Sequence, residues 1–256
     1  MSNAIKFQQG TFNWTDLTTP DTQAALEFYG KLMGWTSHAI PTPEGVYTMV
    51  QKDGQSAGAI HKLGDDKVKM GIPPHWLLYV AVDELDSMID KVKEAGGAVM
   101  AGPFDVMEAG RMAVCGDPTG AAFAMWQAKD HPGAGIQGQV GGTCWHELMT
   151  SDTAQAGAFY KQVFGWQGQE HNMGPVTYTM FTLGETQVGG MMAKPPQMTM
   201  PSSWVVYFQV ADCDAAIKEC KEMGGNACME PIDMEGVGRF CTLIDPQGAA
   251  FAVLSK

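Results

Sequence analysis

The chain has no long hydrophobic run. Its longest uninterrupted apolar stretches, such as Trp76 to Val82, fall far short of the roughly 18–20 residues that a membrane-spanning helix needs. The N-terminal MSNAIKFQQGTFNW has no basic patch leading into an apolar segment, so no secretory leader is expected and the cytoplasm is the expected compartment. Basic residues are scarce: 16 Lys and Arg face 28 Asp and Glu, and the net charge of −12 is spread along the chain. Such a surface repels phosphate backbones and anionic headgroups alike, so neither nucleic acid nor membrane is an expected partner. The six cysteines, at 115, 144, 213, 220, 228 and 241, include no CxxC pair and are too few for a disulfide scaffold. Reduced, mostly buried thiols are expected.

Three local motifs fail once their context is considered. GAGIQG at 133–138 fits G-x-G-x-x-G, but it lies between strand-like segments, whereas dinucleotide binding needs a helix N-terminus to receive the pyrophosphate. His146-Glu147 begins like H-E-x-x-H, yet Thr150 stands where the second histidine belongs and the segment reads as a strand. Cys115 and Cys241 have no His or Lys nearby in sequence to lower their pKa, which favours inert burial over nucleophilic catalysis.

What is present is a repeat. At 256 residues, 45% hydrophobic and 17% charged, the chain has room for two globular domains. Trp14, Asp21, Phe28, Tyr29, Gly34 and Trp35 recur as Trp145, Asp152, Phe159, Tyr160, Gly165 and Trp166, each 131 positions on (145 − 14). Further along the displacement is 128 (204 − 76): Trp76 and Tyr79 return as Trp204 and Tyr207, and DPTGAAFA at 117–124 returns as DPQGAAFA at 245–252. The Gly-rich segment 130–142 lies between the copies and reads as a linker, which sets domain one at 1–129 and domain two at 143–256.

Each half reads as two smaller units of one helix and several strands. Strand-like FNWTDL is followed by Thr19 as N-cap, Pro20 at the first helical position and apolar residues at helical spacing up to Gly34. Alternating runs around VYTMVQ and AGAIHKL follow, then a strand WLLYVAV, a helix from about Leu85 to Ala95, and the strands MAVC and AAFAMWQ. The pattern is β-α-β-β-β four times over. The methionine- and proline-rich GGMMAKPPQMTM at 189–200 reads as a connector between modules.

This layout, with D-x(6)-F-Y-x(4)-G-W after the first strand and D-P-x-G-A-A-F-A before the last, resembles the vicinal oxygen chelate superfamily over nearly the whole chain. That superfamily contains glyoxalase I, bleomycin-resistance proteins and extradiol dioxygenases. More narrowly, the paired motifs are similar to those of two-domain glyoxalase-like proteins. The resemblance implies an α+β class: a tandem glyoxalase-like fold whose four βαβββ modules form two curled-sheet clefts that hold the ligand. Module one pairing with four, and two with three, stands beside pairing within each half.

Metal-dependent relatives of this kind use four ligands, usually His and Glu, from the first and last strands of two cooperating modules. Carried over by motif, those positions are Trp14, Ala59, Leu78 and Ala124, then Trp145, Gly190, Val206 and Ala252. None has a carboxylate or imidazole, so no metal or other cofactor is expected. The resemblance then implies a protein that binds a small organic molecule without the family metal site. The alternative is a lyase or dioxygenase-type enzyme, glyoxalase I-like, with a divalent metal held by other residues.

Strand alternation puts residues i and i+2 on one face, so Trp14 brings Asp16 with it and Trp145 brings Glu147. By the same parity His61 shares the face of Ala59, which sets an acid and an imidazole near one pocket; an exposed histidine at a strand end is the competing reading. Asp16, His61 and Glu147 are the candidate catalytic residues, and Met192 stands at the His61 position of the second copy. Arg111 and Arg239 could grip a ligand carboxylate or phosphate, or pair with local acids. Trp76, Trp126 and Trp204 could line an aromatic pocket or pack between modules. The ligand-binding candidates are thus Trp14, Trp145, Trp76, Trp204, Arg111 and Arg239, in a chain that works as a monomer or homodimer.

Overall fold

The computed structural model describes residues 6–43, 45–174, 176–195, 198 and 200–256. Residues 196, 197 and 199 of the Met- and Pro-rich connector therefore lie outside the described residues. Four modules follow one another, each a strand, a helix and three further strands. Module one is β1 (Phe12–Thr19), α1 (Thr22–Met33), β2 (Thr36–Thr42), β3 (Gly45–Lys52) and β4 (Gln55–Lys62), with a one-turn helix α2 (Asp65–Lys69) after it. Module two is β5 (His75–Ala81), α3 (Leu85–Glu94), β6 (Ala98–Val106), β7 (Gly110–Gly116) and β8 (Ala122–Ala128). Module three is β9 (Thr143–Thr150), α4 (Thr153–Phe164), β10 (Gln167–Met173), β11 (Val176–Leu183) and β12 (Thr186–Ala193). Module four is β13 (Ser203–Gln209), α5 (Cys213–Glu222), β14 (Asn226–Ala227), β15 (Ile232–Met234), β16 (Gly238–Ile244) and β17 (Ala250–Ser255); here the second strand is split, and both pieces pair with β16.

The strand orders are β2-β3-β4-β1-β5-β8-β7-β6 and β10-β11-β12-β9-β13-β17-β16-β14. Within each module the first strand lies parallel to the last, and the remaining strands are antiparallel hairpins. No helix among the described residues is long and apolar enough to cross a membrane.

The helices show how local sequence fixes these elements. In α1 the apolar Ala25, Phe28, Tyr29, Leu32 and Met33 recur at three- and four-residue intervals and are all buried. The N-cap differs from the sequence expectation: Asp21, not Thr19, closes the helix, its carboxylate accepting from Ala24 N at 3.0 Å. A carboxylate is a stronger acceptor for the orphan N–H groups, and Thr19 stays in β1. Gly34 ends the helix in the left-handed conformation that a residue without Cβ adopts at no steric cost. Module three repeats the device with Asp152 and Gly165.

Compaction does not follow the two halves of the sequence. Among the described residues, one compact unit comprises those within 6–14, 78–133 and 146–204, and the other those within 15–77, 134–145 and 205–256. The first therefore unites modules two and three, and the second modules one and four. The same buried hydrogen-bond chain runs through each. In the second unit the Trp76 indole donates to the Tyr29 hydroxyl at 3.0 Å, and that hydroxyl donates to Asp245 Oδ2 at 3.1 Å. Asp245 Oδ1 accepts the backbone N–H groups of Gln247 and Ala249, which shapes the DPQG turn. In the first unit Trp204 donates to Tyr160 at 2.8 Å, Tyr160 donates to Asp117 Oδ2 at 3.0 Å, and Asp117 Oδ1 accepts from Thr119 and Ala121. Burial and the adjacent carboxylate push both phenols well above the ordinary tyrosine pKa, so they stay protonated donors.

Removing one phenol hydroxyl strands an indole N–H and a carboxylate oxygen in the interior. Tyr29→Phe and Tyr160→Phe are each expected to cost about 2–6 kcal/mol, at about 1–3 per orphaned buried group, read as a lower urea midpoint at unchanged slope.

Candidate functional site

Three neighbouring strands of module one bring four polar side chains together. In the parallel pair of β1 and β4, Asp16 lies opposite Ala59 and Thr18 opposite His61; in the antiparallel pair of β3 and β4, Tyr47 lies opposite His61. Period-two alternation points these side chains to one face. The Tyr47 hydroxyl donates to Asp16 Oδ2 at 3.0 Å. His61 Nε2 stands 3.7 Å from Asp16 Oδ1 and 3.0 Å from Thr18 Oγ1. Asp16 is 1% exposed whereas the His61 side chain is 28% exposed, so the carboxylate is the hidden end of the cluster and the imidazole its accessible end. Burial works to lower the His61 pKa, but the nearby charge of Asp16 outweighs it and holds it above 6.5. Chemically, the group can present a cation, accept or return a proton, and offer hydrogen bonds to a polar ligand.

The second copy keeps the carboxylate and the phenol but not the imidazole. Glu147 lies opposite Gly190 in the pair of β9 and β12, Met149 lies opposite Met192, and Tyr178 of β11 also faces Met192. Met149 and Met192 stand where Thr18 and His61 stand in the first copy. Gly190 takes the place of Ala59 for a steric reason: a Cβ there would overlap the Tyr178 hydroxyl and the adjoining ring carbons.

The other candidates fall into separate places. Trp14 is buried, with its ring edge-on to His131 at 4.5 Å, and Trp126 donates its indole N–H to the His131 carbonyl at 2.8 Å. Trp145 is half-buried on β9. Trp76 and Trp204 are core residues whose indoles are engaged by Tyr29 and Tyr160. Arg111 makes a two-pronged pair with Asp86 at 3.0 and 3.3 Å and lies 3.9 Å from Asp105. Arg239 is held by Asp214 and Asp233. Both guanidiniums are thus neutralised by local acids. His146 packs on Phe12, and burial pushes its pKa down to about 3. All six cysteines are free thiols, and burial pushes those of Cys115 and Cys144 up to about 12.

Sequence reasoning left out Tyr47, Thr18 and His131. Tyr47 did carry a signal, since it recurs as Tyr178 at the same 131-residue displacement (178 − 47). His131 carried none, being a single residue in a segment read as linker. Among the described residues no three His, Cys, Asp or Glu side chains converge as a metal ion would require.

Residues 11–125 and again 142–253 match the Glyoxalase/Bleomycin resistance protein/Dioxygenase superfamily, and the chain belongs to that family. It is 41% identical over 257 residues to the provisionally named glyoxylase CFP32 of Mycobacterium tuberculosis (strain CDC 1551 / Oshkosh), covering 99% of this chain and 98% of that one. The anthracycline biosynthesis protein DnrV of Streptomyces peucetius is 35% identical over 260 residues, covering 97% of this chain and 94% of its own. Among solved structures, a Mn(II)-bound glyoxalase from Novosphingobium aromaticivorans aligns with a TM-score of 0.67 at 12% identity, over 97% of this chain and 82% of that one. The 2,3-dioxygenase LapB from Pseudomonas sp. KL28 also aligns at 0.67 and 12%, over 96% of this chain and 92% of its own. At such identities the likeness is one of fold.

Two outcomes are expected of this geometry. In a proton NMR titration the His61 ring titrates above pH 6.5, and in Asp16→Asn it titrates lower than in the parent, because the carboxylate charge that opposes burial is gone. The raised value means that the stabilisation from this pair is fully present below pH 6.5 and is lost as pH rises through the folded-state pKa. Gly190→Ala, which must displace the Tyr178 ring, is expected to lower stability by about 1–3 kcal/mol in chemical denaturation.

Proposed function

We propose that the protein is a glyoxalase- and bleomycin-resistance-like binder of a small organic molecule that works without the family metal. The observation that carries this reading is the replacement of the donor set. At the eight positions where metal-dependent relatives carry ligands stand Trp14, Ala59, Leu78, Ala124, Trp145, Gly190, Val206 and Ala252, while a buried, phenol-bridged carboxylate is kept beside them. Divalent cations need carboxylate, imidazole or thiolate donors, and alkyl or indole side chains supply none. The residues at these positions do not fit a metal.

In this reading Asp16, with Tyr47 and His61, is the polar end of the site and takes a cationic or hydrogen-bond-donating group. Glu147 does the same in the second copy, in more apolar surroundings. Trp14 and Trp145 remain the ring-bearing candidates for a flat ligand body. The relative named for anthracycline biosynthesis supports a polycyclic aromatic ligand. The acidic surface supports a small molecule rather than nucleic acid or membrane as partner, in a cytoplasmic monomer or homodimer.

A second reading is a glyoxalase I-like lyase or dioxygenase-type enzyme whose divalent metal is held by other residues, such as Asp16, His61 or Glu147. It is favoured by the His61 imidazole, whose pKa is raised beside a buried carboxylate and which could exchange a proton with a bound substrate. Elemental analysis of the purified protein for zinc, nickel, iron and manganese decides between them. Substoichiometric metal, together with a thermal shift on binding a polycyclic amine that Asp16→Ala abolishes, is the expected result. One equivalent of metal or more, lost with turnover of a 2-oxoaldehyde hemithioacetal in Asp16→Ala or Glu147→Ala, overturns the proposal.

A further inference from the structure

In the unit that unites modules one and four, a cavity of about 300 Å³ opens where the end of α1, the end of β3, the linker and the start of α5 meet. Two uncommitted polar side chains reach it. Lys52 runs across two glycines of positive φ: a Cβ at Gly34 would lie 2.7 Å from its Nζ, and one at Gly141 would lie 2.9 Å from its Cγ. Its ammonium makes no ion pair or hydrogen bond among the described residues. Gln209 Oε1 is likewise buried without a partner. The acids that line the cavity are already engaged, Asp212 by the Ala215 N–H at 3.0 Å and Glu219 by Lys31 at 3.7 Å.

The other unit supplies an internal control. Its backbone frame is the same: the Gly10 N–H donates to the Ala81 carbonyl at 2.8 Å as the Gly141 N–H does to Gln209, and Trp166 donates to the Gly10 carbonyl as Trp35 does to Gly141. Yet Leu183 stands at the Lys52 position, Ala81 at Gln209 and Met88 at Ala216. Leu183 closes on Gly10, and Met88 is buried. One frame therefore carries an apolar plug where the other carries a cation, an amide and an open volume. An ammonium near the C-terminus of α1 is favourable in itself. That effect does not explain the lost packing.

We propose that this cavity binds a small monocarboxylate with an apolar body. The carboxylate pairs with Lys52 Nζ and accepts from the Gln209 side-chain amide N–H, and the apolar body lies against Leu32, Met33 and Val210. The site is separate from the Asp16 cluster and does not rest on the function proposed above.

The test is an NMR titration of the full-length protein with benzoate, and with benzamide as its uncharged counterpart. Saturable shifts of the Gly34, Gly141 and Gln209 amides are expected, with the His61 ring unmoved. Benzamide binding at least about tenfold weaker is expected, as is a similar loss in Lys52→Leu, which copies the plug of the other unit; about tenfold corresponds to 1.4 kcal/mol. Lys52→Arg retains binding, and Gln209→Ala gives a second variant that leaves the ammonium in place and weakens it several-fold. Equal binding of benzoate and benzamide, wild-type affinity in folded Lys52→Leu, or no saturable shift would overturn the proposal.

Discussion

The structure depends on a buried chain of hydrogen bonds in which every atom has one assignment. Each tyrosine hydroxyl, Tyr29 or Tyr160, accepts from an indole and donates to an aspartate. The other oxygen of that aspartate takes two backbone N–H groups of the DPxG turn. In a low-dielectric interior such a chain is strong when complete and costly when broken, so few alternative packings compete with it. It ties a strand, a helix and a turn from three modules to one point: β5, α1 and the DPQG turn in one unit, β13, α4 and the DPTG turn in the other. All three groups of each chain fall within one compact unit.

With the frame fixed in this way, the two copies are free to differ elsewhere. The first keeps a carboxylate, a phenol, a hydroxyl and an imidazole on one sheet face; the second keeps the carboxylate and the phenol and fills the rest with Met149 and Met192. At the cavity by Lys52 the divergence runs the same way, with charge in one unit and leucine in the other. The two copies share the interactions that hold the fold and differ at these two places.

Much of the fold was legible because its signals are local. Helical spacing, the glycine stops and the 131-residue echo identify the modules, and strand parity places Asp16 and His61 on one face, where the structure has them 3.7 Å apart. The N-cap of α1 lies two residues later than expected because the Asp21 carboxylate accepts from Ala24 N while Thr19 remains in β1. The role of the tryptophans was not legible. An indole facing a pocket and an indole donating to a buried phenol look alike in sequence, and only the tertiary position of Tyr29 and Tyr160 separates them. The same holds for Arg111 and Arg239, whose partners lie on neighbouring elements, and for Tyr47, which reaches Asp16 from another strand.

The interleaving of the units has a consequence for a ribosome-bound chain. The Tyr160–Asp117 contact spans 43 residues, whereas the Tyr29–Asp245 contact spans 216. At about 5–20 residues synthesised per second, the first pair is complete within seconds of its earlier member emerging, and the second only after roughly 10–40 s. The inner unit, modules two and three, can therefore close while module one still waits for its partner. Throughout that interval the apolar faces of α1 and β1 are nascent surface, and protecting them falls to the cell rather than to the chain.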